Sequence, residues 1–463
     1  MNSALSSDTI TAIATAPGKA GISVIRISGP DSLRIADIVF SCNPPRPTWR
    51  PHGSFVRGLV RDTRPDRKDD EIIDEALLLV FRAPRSYTAE DTAEIQCHGG
   101  RITAARILET VCNAGARPAE PGEFTKRAFL NGRIDLLQAE AVADLINART
   151  SPAADSALKQ LRGHLTDSAG TLYDDALSVA GELSAMLDFP DETLPVQPLP
   201  EIRLRVNRIV RDIEKLLETH SRGRILREGA LVAITGEPNA GKSSLLNILL
   251  EEPRAIVDSA PGTTRDTIEE EIEIAGYPVR LVDTAGLRNT GEYAEQEGVT
   301  RAKKAAETAD VVIFMMDSSK PIGKVSAEFL AETVPEKTIA VLNKSDLPSR
   351  IKIEEISPIN AITCSCMLKE GINNLKQQLV NNLNITSNET SATHISERHY
   401  QLLQYALNEM NNAYDILTAD REDACLLAVS AMRPALEALG NLTGKVYTQE
   451  LLDNIFDRFC IGK

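Results

Sequence analysis

In the first part of the chain, apolar residues have the alternating spacing of strands in some segments and the spacing of helices in others. Strand spacing covers the segments Thr9–Ala14, Ile22–Ile27, Glu75–Phe81 and Ala93–Gln96. Helix spacing covers the segments Asp31–Phe40 and Gly100–Ala114. Because Glu75–Phe81 is an almost continuous apolar run, we expect this strand to be buried on both faces. The pattern predicts a small α+β domain over residues 1–118.

The rest of the chain has helical spacing at both ends, with alternating strands and helices between them. Helices are predicted in Phe124–Leu130, Leu136–Ala148, Ala153–Met186, Ile202–His220 and from about Ser396 onward. The strands predicted between them are Leu231–Thr235, Ile268–Ile274, Val279–Asp283, Val311–Asp317, Thr338–Asn343 and Ala361–Cys364. Strands that alternate with helices are typical of a mainly parallel sheet. We therefore predict a multidomain α/β protein, in which a module at 221–384 is inserted into a discontinuous helical bundle, 119–220 and 385–463.

The net charge argues against one class of function. The 463 residues carry a formal charge of −15, so no overall basic field favours nucleic-acid binding. Any RNA contact must then come from a local patch or from a partner. Residues 44–68 are rich in arginine and include Trp49, and they could form such a patch or bind an acidic partner. A hairpin with solvated arginines is the favoured alternative.

Cysteine spacing and hydropathy bear on the compartment. The seven cysteines lack a paired Cys-x-x-Cys spacing and are typical of mostly buried, reduced thiols. No apolar run is long enough to cross a bilayer, and the N-terminus lacks a signal pattern. We expect a soluble, cytoplasmic protein with no membrane partner.

A glycine-rich loop, GEPNAGKSS at 236–244, stands between an apolar run and a helical segment. In that order, Gly-x-x-x-x-Gly-Lys-Ser cradles phosphates, because backbone amides and the helix N-terminus supply positive potential. Lys242 would reach the β- and γ-oxygens, and the Ser243 hydroxyl would bind Mg²⁺. The alternative is a glycine turn with no chemical function, and the position of Lys-Ser disfavours it.

Four further segments follow in the order that a guanine-nucleotide switch requires. GTTRD at 262–266 offers Thr264 as a second Mg²⁺ ligand, and DTAG at 283–286 offers Asp283. In NKSD at 343–346, the Asp346 carboxylate can accept both N–H donors of guanine, whereas adenine presents the opposite pattern. Ser365-Cys366, after the last strand, fits the loop that contacts the guanine oxygen. Together the segments predict GTP rather than ATP.

Leu287 stands directly after this glycine, where Ras-type proteins have a glutamine that orients the attacking water. An apolar side chain cannot orient water, so hydrolysis needs another device. The candidates are Glu295 or Glu297, together with a cation near the transferred phosphate. Either glutamate could equally be a solvated residue at the start of a helix.

Two charged residues, Arg26 and Glu94, lie inside predicted strands, where a charge that faces a core needs a partner. A buried ion pair explains both residues. A site for an amide-bearing heterocycle such as a pterin explains them equally, and composition leaves the two open. Arg133 lies in a loop, where it is free to meet a ligand.

Taken together, these residues resemble the MnmE (TrmE) family of tRNA-modification GTPases along essentially the whole chain. The resemblance rests on DTITAIATAPGKAGISVIRISGP, YTAEDTAEIQCHGG, PGEFTKRAFLNGRIDLLQAEAVADLI, LDFPDE, GEPNAGKSSLLN, GTTRD, DTAGLR, NKSD and the terminal Cys-Ile-Gly-Lys. It implies a fold of three parts. These are an N-terminal α+β domain similar to tetrahydrofolate-binding domains, a discontinuous helical bundle and an inserted Ras-like P-loop GTPase domain.

The resemblance also implies which residues act. Glu295 and Lys242 would be catalytic, and Cys460 is a candidate reactive cysteine, a buried thiol being the alternative. The folate contacts would be Arg26, Glu94, Arg133 and Lys463. The K⁺ ligands would be Asn239, Asp258, Ala260 and Thr263, and the Mg²⁺ ligands Ser243 and Thr264. The GTP-binding residues would be Asn239, Ala240, Gly241, Lys242, Ser243, Ser244, Asp258, Ser259, Ala260, Pro261, Gly262, Thr263, Thr264, Asp283, Thr284, Ala285, Gly286, Asn343, Lys344, Asp346, Ser365 and Cys366.

For function, the resemblance implies a homodimeric, K⁺-stimulated GTPase that acts with the FAD protein MnmG (GidA) in a heterotetrameric complex. The pair would add an aminomethyl or carboxymethylaminomethyl group to C5 of the wobble uridine of certain tRNAs. The cofactors would be GTP, Mg²⁺, K⁺ and 5-formyl- or 5,10-methylene-tetrahydrofolate. Two alternatives remain: a ribosome-assembly or signalling GTPase without one-carbon chemistry, and a folate-dependent transferase in which the P-loop module is only regulatory.

Overall fold

The protein is represented by a computed structural model, which describes residues 8–62, 71–188, 198–250, 269–283, 308–383, 394–419 and 421–463. The strands are β1 (Ile10–Ile13), β2 (Ile22–Ser28), β3 (Phe40–Cys42), β4 (Ser54–Arg61), β5 (Ile72–Phe81), β6 (Thr92–His98), β7 (Arg117–Pro118), β8 (Ala230–Gly236), β9 (Glu269–Ile274), β10 (Tyr277–Asp283), β11 (Val311–Asp317), β12 (Thr338–Asn343) and β13 (Asn360–Thr363). The α-helices are α1 (Ser32–Val39), α2 (Arg101–Asn113), α3 (Glu123–Leu130), α4 (Leu136–Asn147), α5 (Ser151–Leu161), α6 (His164–Asp188), α7 (Leu199–Leu217), α8 (His220–Glu228), α9 (Lys242–Leu250), α10 (Lys324–Glu332), α11 (Ile372–Asn382), α12 (Glu397–Thr418), α13 (Ala424–Thr443) and α14 (Gln449–Phe456).

The chain divides into two compact units. The first contains residues 1–143, 165–173 and 436–463, and the second contains residues 144–164 and 174–435. The finer division into 1–118, 119–220, 221–384 and 385–463 stays a prediction. None of the helices in the described ranges is long and apolar enough to cross a membrane. All seven cysteines are free thiols, but only Cys97 and Cys364 are buried, so the prediction of mostly buried thiols is wrong.

The first unit is built on a sheet with the order β3-β4-β5-β6-β2-β1-β7. Its strands are antiparallel except for the parallel pair β1 and β7. Apolar side chains from β2, β5 and β6 pack against helices α1 and α2 and form the core on one face of the sheet. The predicted α+β character is confirmed.

The opposite face of this sheet is partly open. Burial on both faces of β5 was a wrong prediction, because Leu78 is fully buried whereas its neighbour Leu77 is 40% exposed. The helices cover only one side, so consecutive residues alternate between core and solvent. Strand β4 lies within the arginine-rich segment and pairs with β5, and its exposed Arg57 forms an ion pair with Glu75. This agrees with solvated arginines; residues 63–68 lie outside the described ranges.

The second unit contains a sheet with the order β13-β12-β11-β8-β10-β9. Every pairing is parallel except that of β9 with β10, so the predicted mainly parallel sheet is confirmed. All residues of the central strand β11 are buried, because α9 and α11 pack on one face and α10 on the other. This arrangement brings the carboxyl ends of β8, β11, β12 and β13 to one edge, where ligands of such sheets bind.

Two of the helices predicted from periodicity have different boundaries in the structure. The predicted Ala153–Met186 helix is two helices, α5 and α6, which are separated at Gly163 with φ of +93°. The predicted Ile202–His220 helix ends earlier, at Leu217, and a separate helix, α8, leads into β8. Helical spacing continues through both breaks, so periodicity alone could not locate them. Helices α7 and α12 pack together, although about 180 residues separate them in the sequence.

Candidate functional site

The glycine-rich loop connects β8 to α9 in a conformation that few residues adopt. Gly236, Asn239 and Gly241 have φ values of +131°, +60° and +103°. A Cβ atom at Gly236 would lie 2.1 Å from the backbone oxygen of Met315, so glycine is required there. The loop therefore turns sharply around the N-terminus of α9, whose free amides can face phosphate oxygens.

Lys242 closes over this loop. Its ammonium group donates hydrogen bonds to the backbone oxygens of Gly236 at 2.9 Å and Glu237 at 2.7 Å. Ser243 and Ser244 follow in the first turn of α9 and are exposed. A cation and exposed hydroxyls at a helix N-terminus fit the phosphates and Mg²⁺ of a nucleotide.

Asn343 joins the phosphate loop to the base-reading loop. The side chain is 3% exposed at the end of β12, and its Nδ2 donates to the backbone oxygen of Ala240 at 2.7 Å. Its Oδ1 accepts the backbone N–H of Cys366 at 3.0 Å. A Cβ at position 241 would lie 2.2 Å from Asn343 Nδ2, so the position of this asparagine requires glycine at 241.

Two carboxylates, Asp346 and Asp317, lie at the loop that is predicted to recognise the base. Asp346 is exposed, and its Oδ1 accepts the Ser365 hydroxyl at 2.6 Å. Lys344, with φ of +64°, pairs with Asp317 at 2.6 Å. Burial would raise the pKa of Asp317, but hydrogen bonds from Lys344 and Ser319 outweigh it and lower the pKa to about 2. Asp317 thus holds Lys344, and the exposed Asp346 carboxylate remains available to paired N–H donors.

Several predicted nucleotide residues lie outside the described ranges. Asp283 ends β10 beside Ile234 of β8, which places its backbone next to the phosphate loop. Residues outside the described ranges include Asp258, Ser259, Ala260, Pro261, Gly262, Thr263, Thr264, Thr284, Ala285, Gly286, Leu287, Glu295 and Glu297.

In the first unit, Arg26 and Glu94 lie opposite each other on β2 and β6. Arg26 Nε donates to Glu94 Oε1 at 2.8 Å, and their side chains are 14% and 17% exposed. The Arg26 guanidinium lies over the rings of Tyr87 and Phe124, at 5.2 Å and 5.5 Å from their centroids. Its buried Nη1 has no hydrogen-bonding partner in the described part of the chain. The ion pair exists, and it leaves a donor available for a ligand.

The other two folate candidates lie beside this pair. Arg133 Nη1 donates to the backbone oxygen of Tyr87 at 2.6 Å, and the guanidinium lies 5.1 Å from the Tyr87 ring centroid. Arg133 and Glu94 line one cavity of about 320 Å³. The pKa of Lys463 is lowered by burial and by the nearby charge of Arg26. Tertiary structure therefore brings all four candidates together.

Sequence reasoning missed the aromatic residues of this cluster. Tyr87 lies between the two guanidinium groups and lines the cavity, and Phe124 supports Arg26. Tyr87 starts one of the segments that carry the family resemblance, but a tyrosine in a polar loop carries no local signal of its position.

The C-terminal segment packs against the same unit. Phe459 is 7% exposed, whereas Cys460 is exposed, so the buried-thiol interpretation of Cys460 is wrong. The backbone explains the difference. A Cβ at Gly462 would lie 2.5 Å from the oxygen of Ile13, and the Lys463 oxygen accepts the backbone N–H of Phe124 at 3.2 Å. The last residues are therefore held against β1 and α3 while Cys460 points outward.

Comparison with known proteins gives consistent matches. The model of the MnmE helical domain matches residues 136–460, and that of the GTP-binding protein TrmE N-terminus matches residues 9–133. A tRNA modification GTPase MnmE from Natranaerobius thermophilus is 39% identical over 99% of this chain and 100% of its own length. One from Thermoanaerobacter pseudethanolicus is 41% identical over 98% and 99%. The G domain of the T. maritima FeoB iron transporter is 27% identical over 33% of this chain and 98% of that chain, with a TM-score of 0.26.

Proposed function

The chain belongs to the MnmE family of tRNA modification GTPases, and we propose that it hydrolyses GTP while the wobble uridine of certain tRNAs is modified. One observation carries the proposal. The same chain has an Asn343-linked nucleotide loop and a cluster of Arg26, Glu94, Arg133 and Lys463, of which Glu94 and Arg133 line a cavity. A switch GTPase needs only the first, whereas folate-dependent one-carbon chemistry also needs a site for the heterocycle.

The described residues support GTP binding by direct chemistry. The amides at the start of α9 and the ammonium of Lys242 bind the phosphates, and Ser243 supplies a hydroxyl ligand for Mg²⁺. The Asp346 carboxylate accepts the N1–H and amino donors of guanine. Thr264 and Asp283 would complete the Mg²⁺ site, which neutralises charge on the β- and γ-phosphates when Mg²⁺ is bound.

For hydrolysis we assign water positioning to Glu295 and charge compensation to a K⁺ site. Asn239 is exposed at the tip of the phosphate loop with a left-handed backbone, where its amide oxygen can reach a cation. Asp258, Ala260 and Thr263 would supply the remaining K⁺ ligands. A monovalent cation there would take the place of an arginine finger.

The cavity beside Glu94 fits the pterin end of 5-formyl- or 5,10-methylene-tetrahydrofolate. A carboxylate pairs with the amino and ring N–H donors of the heterocycle, and the free Nη1 of Arg26 can donate to its oxygen. Arg133 and Lys463 add positive charge for the glutamate tail. The folate supplies the one-carbon unit when bound.

A second copy of the chain fits the open face of the N-terminal sheet. Phe55, Leu79, Glu94 and Arg26 lie in one row across β4, β5, β6 and β2. Phe55 is 73% exposed, so an apolar surface continues from the cavity. A homodimer formed here would cover that surface and place the two folate cavities near its interface.

The remaining chemistry needs a partner. We propose that the homodimer acts with the FAD protein MnmG in a heterotetrameric complex in the cytoplasm, and that the complex takes tRNA as its substrate. The product would be an aminomethyl or carboxymethylaminomethyl group on C5 of the uridine. The exposed Cys460 is available for a covalent role in this reaction.

The first experiment measures GTP turnover in K⁺ and in Na⁺ at matched ionic strength, for the full chain and for Asn239→Ala. We expect strong activation by K⁺ that Asn239→Ala loses. Equal rates in both salts would leave a GTPase but remove the cation mechanism and reopen the roles of Asn239 and Glu295.

A second experiment separates the proposal from a ribosome-assembly or signalling GTPase. Binding of 5-formyl-tetrahydrofolate is measured by calorimetry for the full chain, for Glu94→Gln and for Glu75→Gln, an exposed glutamate of the same sheet. We expect Glu94→Gln to lose binding and Glu75→Gln to keep it. No folate binding by the unaltered chain would favour the alternative.

The regulatory-module alternative needs its own test. An Asp283→Ala chain that still supports tRNA modification with MnmG would favour a transferase in which the P-loop module is only regulatory. Loss of both GTP turnover and tRNA product is the outcome we expect.

A further inference from the structure

Two cysteines, Cys364 and Cys366, lie in the loop that is predicted to recognise the base. Cys364 is fully buried, and its Sγ lies 3.6 Å from Asn343 Oδ1. The side chain of Cys366 packs against the core cluster that contains Cys364, and the backbone N–H of Cys366 donates to the same Asn343 oxygen at 3.0 Å. The proposed function uses Asn343 and the Cys366 backbone, but it gives the two sulfur atoms no role.

The two thiols are chemically unequal. The neighbouring Cys366 thiol and burial raise the pKa of Cys364. The neighbouring Cys364 thiol lowers the pKa of Cys366, against the effect of burial. Cys366 is also the more accessible of the two. It is therefore the sulfur that reacts first with an oxidant, and Cys364 is in place to react second.

We propose that Cys364 and Cys366 form a reversible disulfide that weakens guanine-nucleotide binding. The oxidant is a hydroperoxide. The Cys366 thiolate attacks the terminal oxygen, the O–O bond breaks, and an alcohol or water leaves as Cys366 becomes a sulfenic acid. The sulfur of Cys364 then attacks the Cys366 sulfur and releases water. In sum, two thiols and one hydroperoxide give one disulfide, one alcohol or water, and one water.

The loop geometry explains why this bond would disturb nucleotide binding. Cα atoms two residues apart reach about 7 Å in an extended chain, whereas disulfides favour about 5.5–6 Å. Ser365, between the cysteines, exchanges two backbone hydrogen bonds of 3.1 Å with Glu370, and its hydroxyl binds Asp346. Drawing the cysteines together would bend the chain at Ser365. This bend would shift the backbone N–H of Cys366 and the Ser365 hydroxyl that donates to Asp346.

The inference rests on the proposed GTP binding, and one experiment separates the two. Reduced full-length protein is treated with hydrogen peroxide, digested and analysed by mass spectrometry, and the affinity for GDP is measured before and after treatment. We expect loss of two hydrogens on the peptide that contains both cysteines, with an affinity at least tenfold weaker, about 1.4 kcal/mol. Dithiothreitol should restore the affinity, and GDP added before the peroxide should slow the oxidation.

Variants localise the effect. In Cys364→Ala, which cannot form the disulfide, the ratio of GDP affinities before and after peroxide alone should approach one. Cys425→Ala, which alters a partly buried thiol in α13, should keep the tenfold response. A Cys364–Cys366 disulfide with unchanged GDP affinity would overturn the inference, and so would lost affinity without that disulfide. Reduced protein that binds no GDP would overturn the proposed function as well.

Discussion

The hydroxyl of Ser365 donates a 2.6 Å hydrogen bond to Oδ1 of Asp346, joining the loops that follow the neighbouring parallel strands β13 and β12. The hydroxyl has a second function, because it also accepts the backbone N–H of Leu368 at 3.2 Å. The orientation of the carboxylate is thereby coupled to the conformation of the loop. The carboxylate proposed to recognise the base is therefore positioned by the loops after both strands.

Asp346→Asn should change the preferred base from guanine to xanthine. The amide can donate to the oxygen that xanthine carries in place of the guanine amino group, but it cannot accept both guanine donors. We expect GDP affinity to fall by roughly a hundredfold or more, since the guanine N–H donors would lose their shared acceptor. Fluorescence titration with GDP and xanthosine diphosphate measures the change. Equal loss of both nucleotides would mean that Asp346 supports the loop rather than reading the base.

Gly241→Ala should damage the nucleotide site. The new Cβ would lie 2.2 Å from Asn343 Nδ2, and φ of +103° is unfavourable for alanine. We expect the second unit to lose about 2 kcal/mol or more and GDP binding to weaken, because Asn343 must move. Gly181→Ala, in the part of α6 that belongs to the second unit and with open space around its Cβ, is the control and should be neutral or slightly stabilising. Urea denaturation and GDP titration give both quantities, and an unperturbed Gly241→Ala protein would contradict the Asn343 contact.

Arg26→Met should destabilise the first unit far more than Arg57→Met. Each arginine pairs with a glutamate on the same sheet, but Arg26 and Glu94 are 14% and 17% exposed, whereas Arg57 is 76% exposed. Loss of Arg26 leaves a mostly buried carboxylate unpaired, which costs about 3 kcal/mol, while an exposed pair contributes about 0.5 kcal/mol. Chemical denaturation followed by Trp49 fluorescence reports on this unit. Similar effects of the two changes would show that Glu94 finds another partner.

His394 should make the second unit less stable in mild acid. Burial lowers the pKa of His394 to about 4 from an ordinary value of 6.5, and the positive charges of Arg227, Arg222 and Lys159 act in the same direction. The unfolded chain therefore takes up the proton first as pH falls, so stability is full above pH 6.5 and decreases towards pH 4. Between pH 7 and pH 5 the loss should be about 2 kcal/mol.

The control for this pH effect lies in the same unit. His394→Gln should flatten the dependence between pH 7 and pH 5, whereas His164→Gln, at an exposed position, should preserve it. Urea denaturation at each pH gives the free energy of unfolding. A slope that His394→Gln does not change would place the titrating group elsewhere.

The sequence by itself determined the local features. Strands Val311–Asp317 and Thr338–Asn343 match their predicted limits, because short buried apolar runs between turn residues indicate strands without reference to distant parts of the chain. The phosphate loop and the Asp346 motif were also identified, since fixed short spacing is what their chemistry requires. Arg26 and Glu94 attracted attention because charges inside apolar strands need partners.

Only the tertiary structure decided the relationships between distant residues. The sequence did not show that Asn343 holds Ala240 and Cys366 together, or that Tyr87 lies between Arg26 and Arg133. Nor did it show that only one face of β5 is covered, or that the C-terminus returns to β1 and α3. Strand register and helix packing set these contacts, and both depend on which surfaces can be buried together in three dimensions. The local spacing of residues along the sequence does not show which surfaces are buried together.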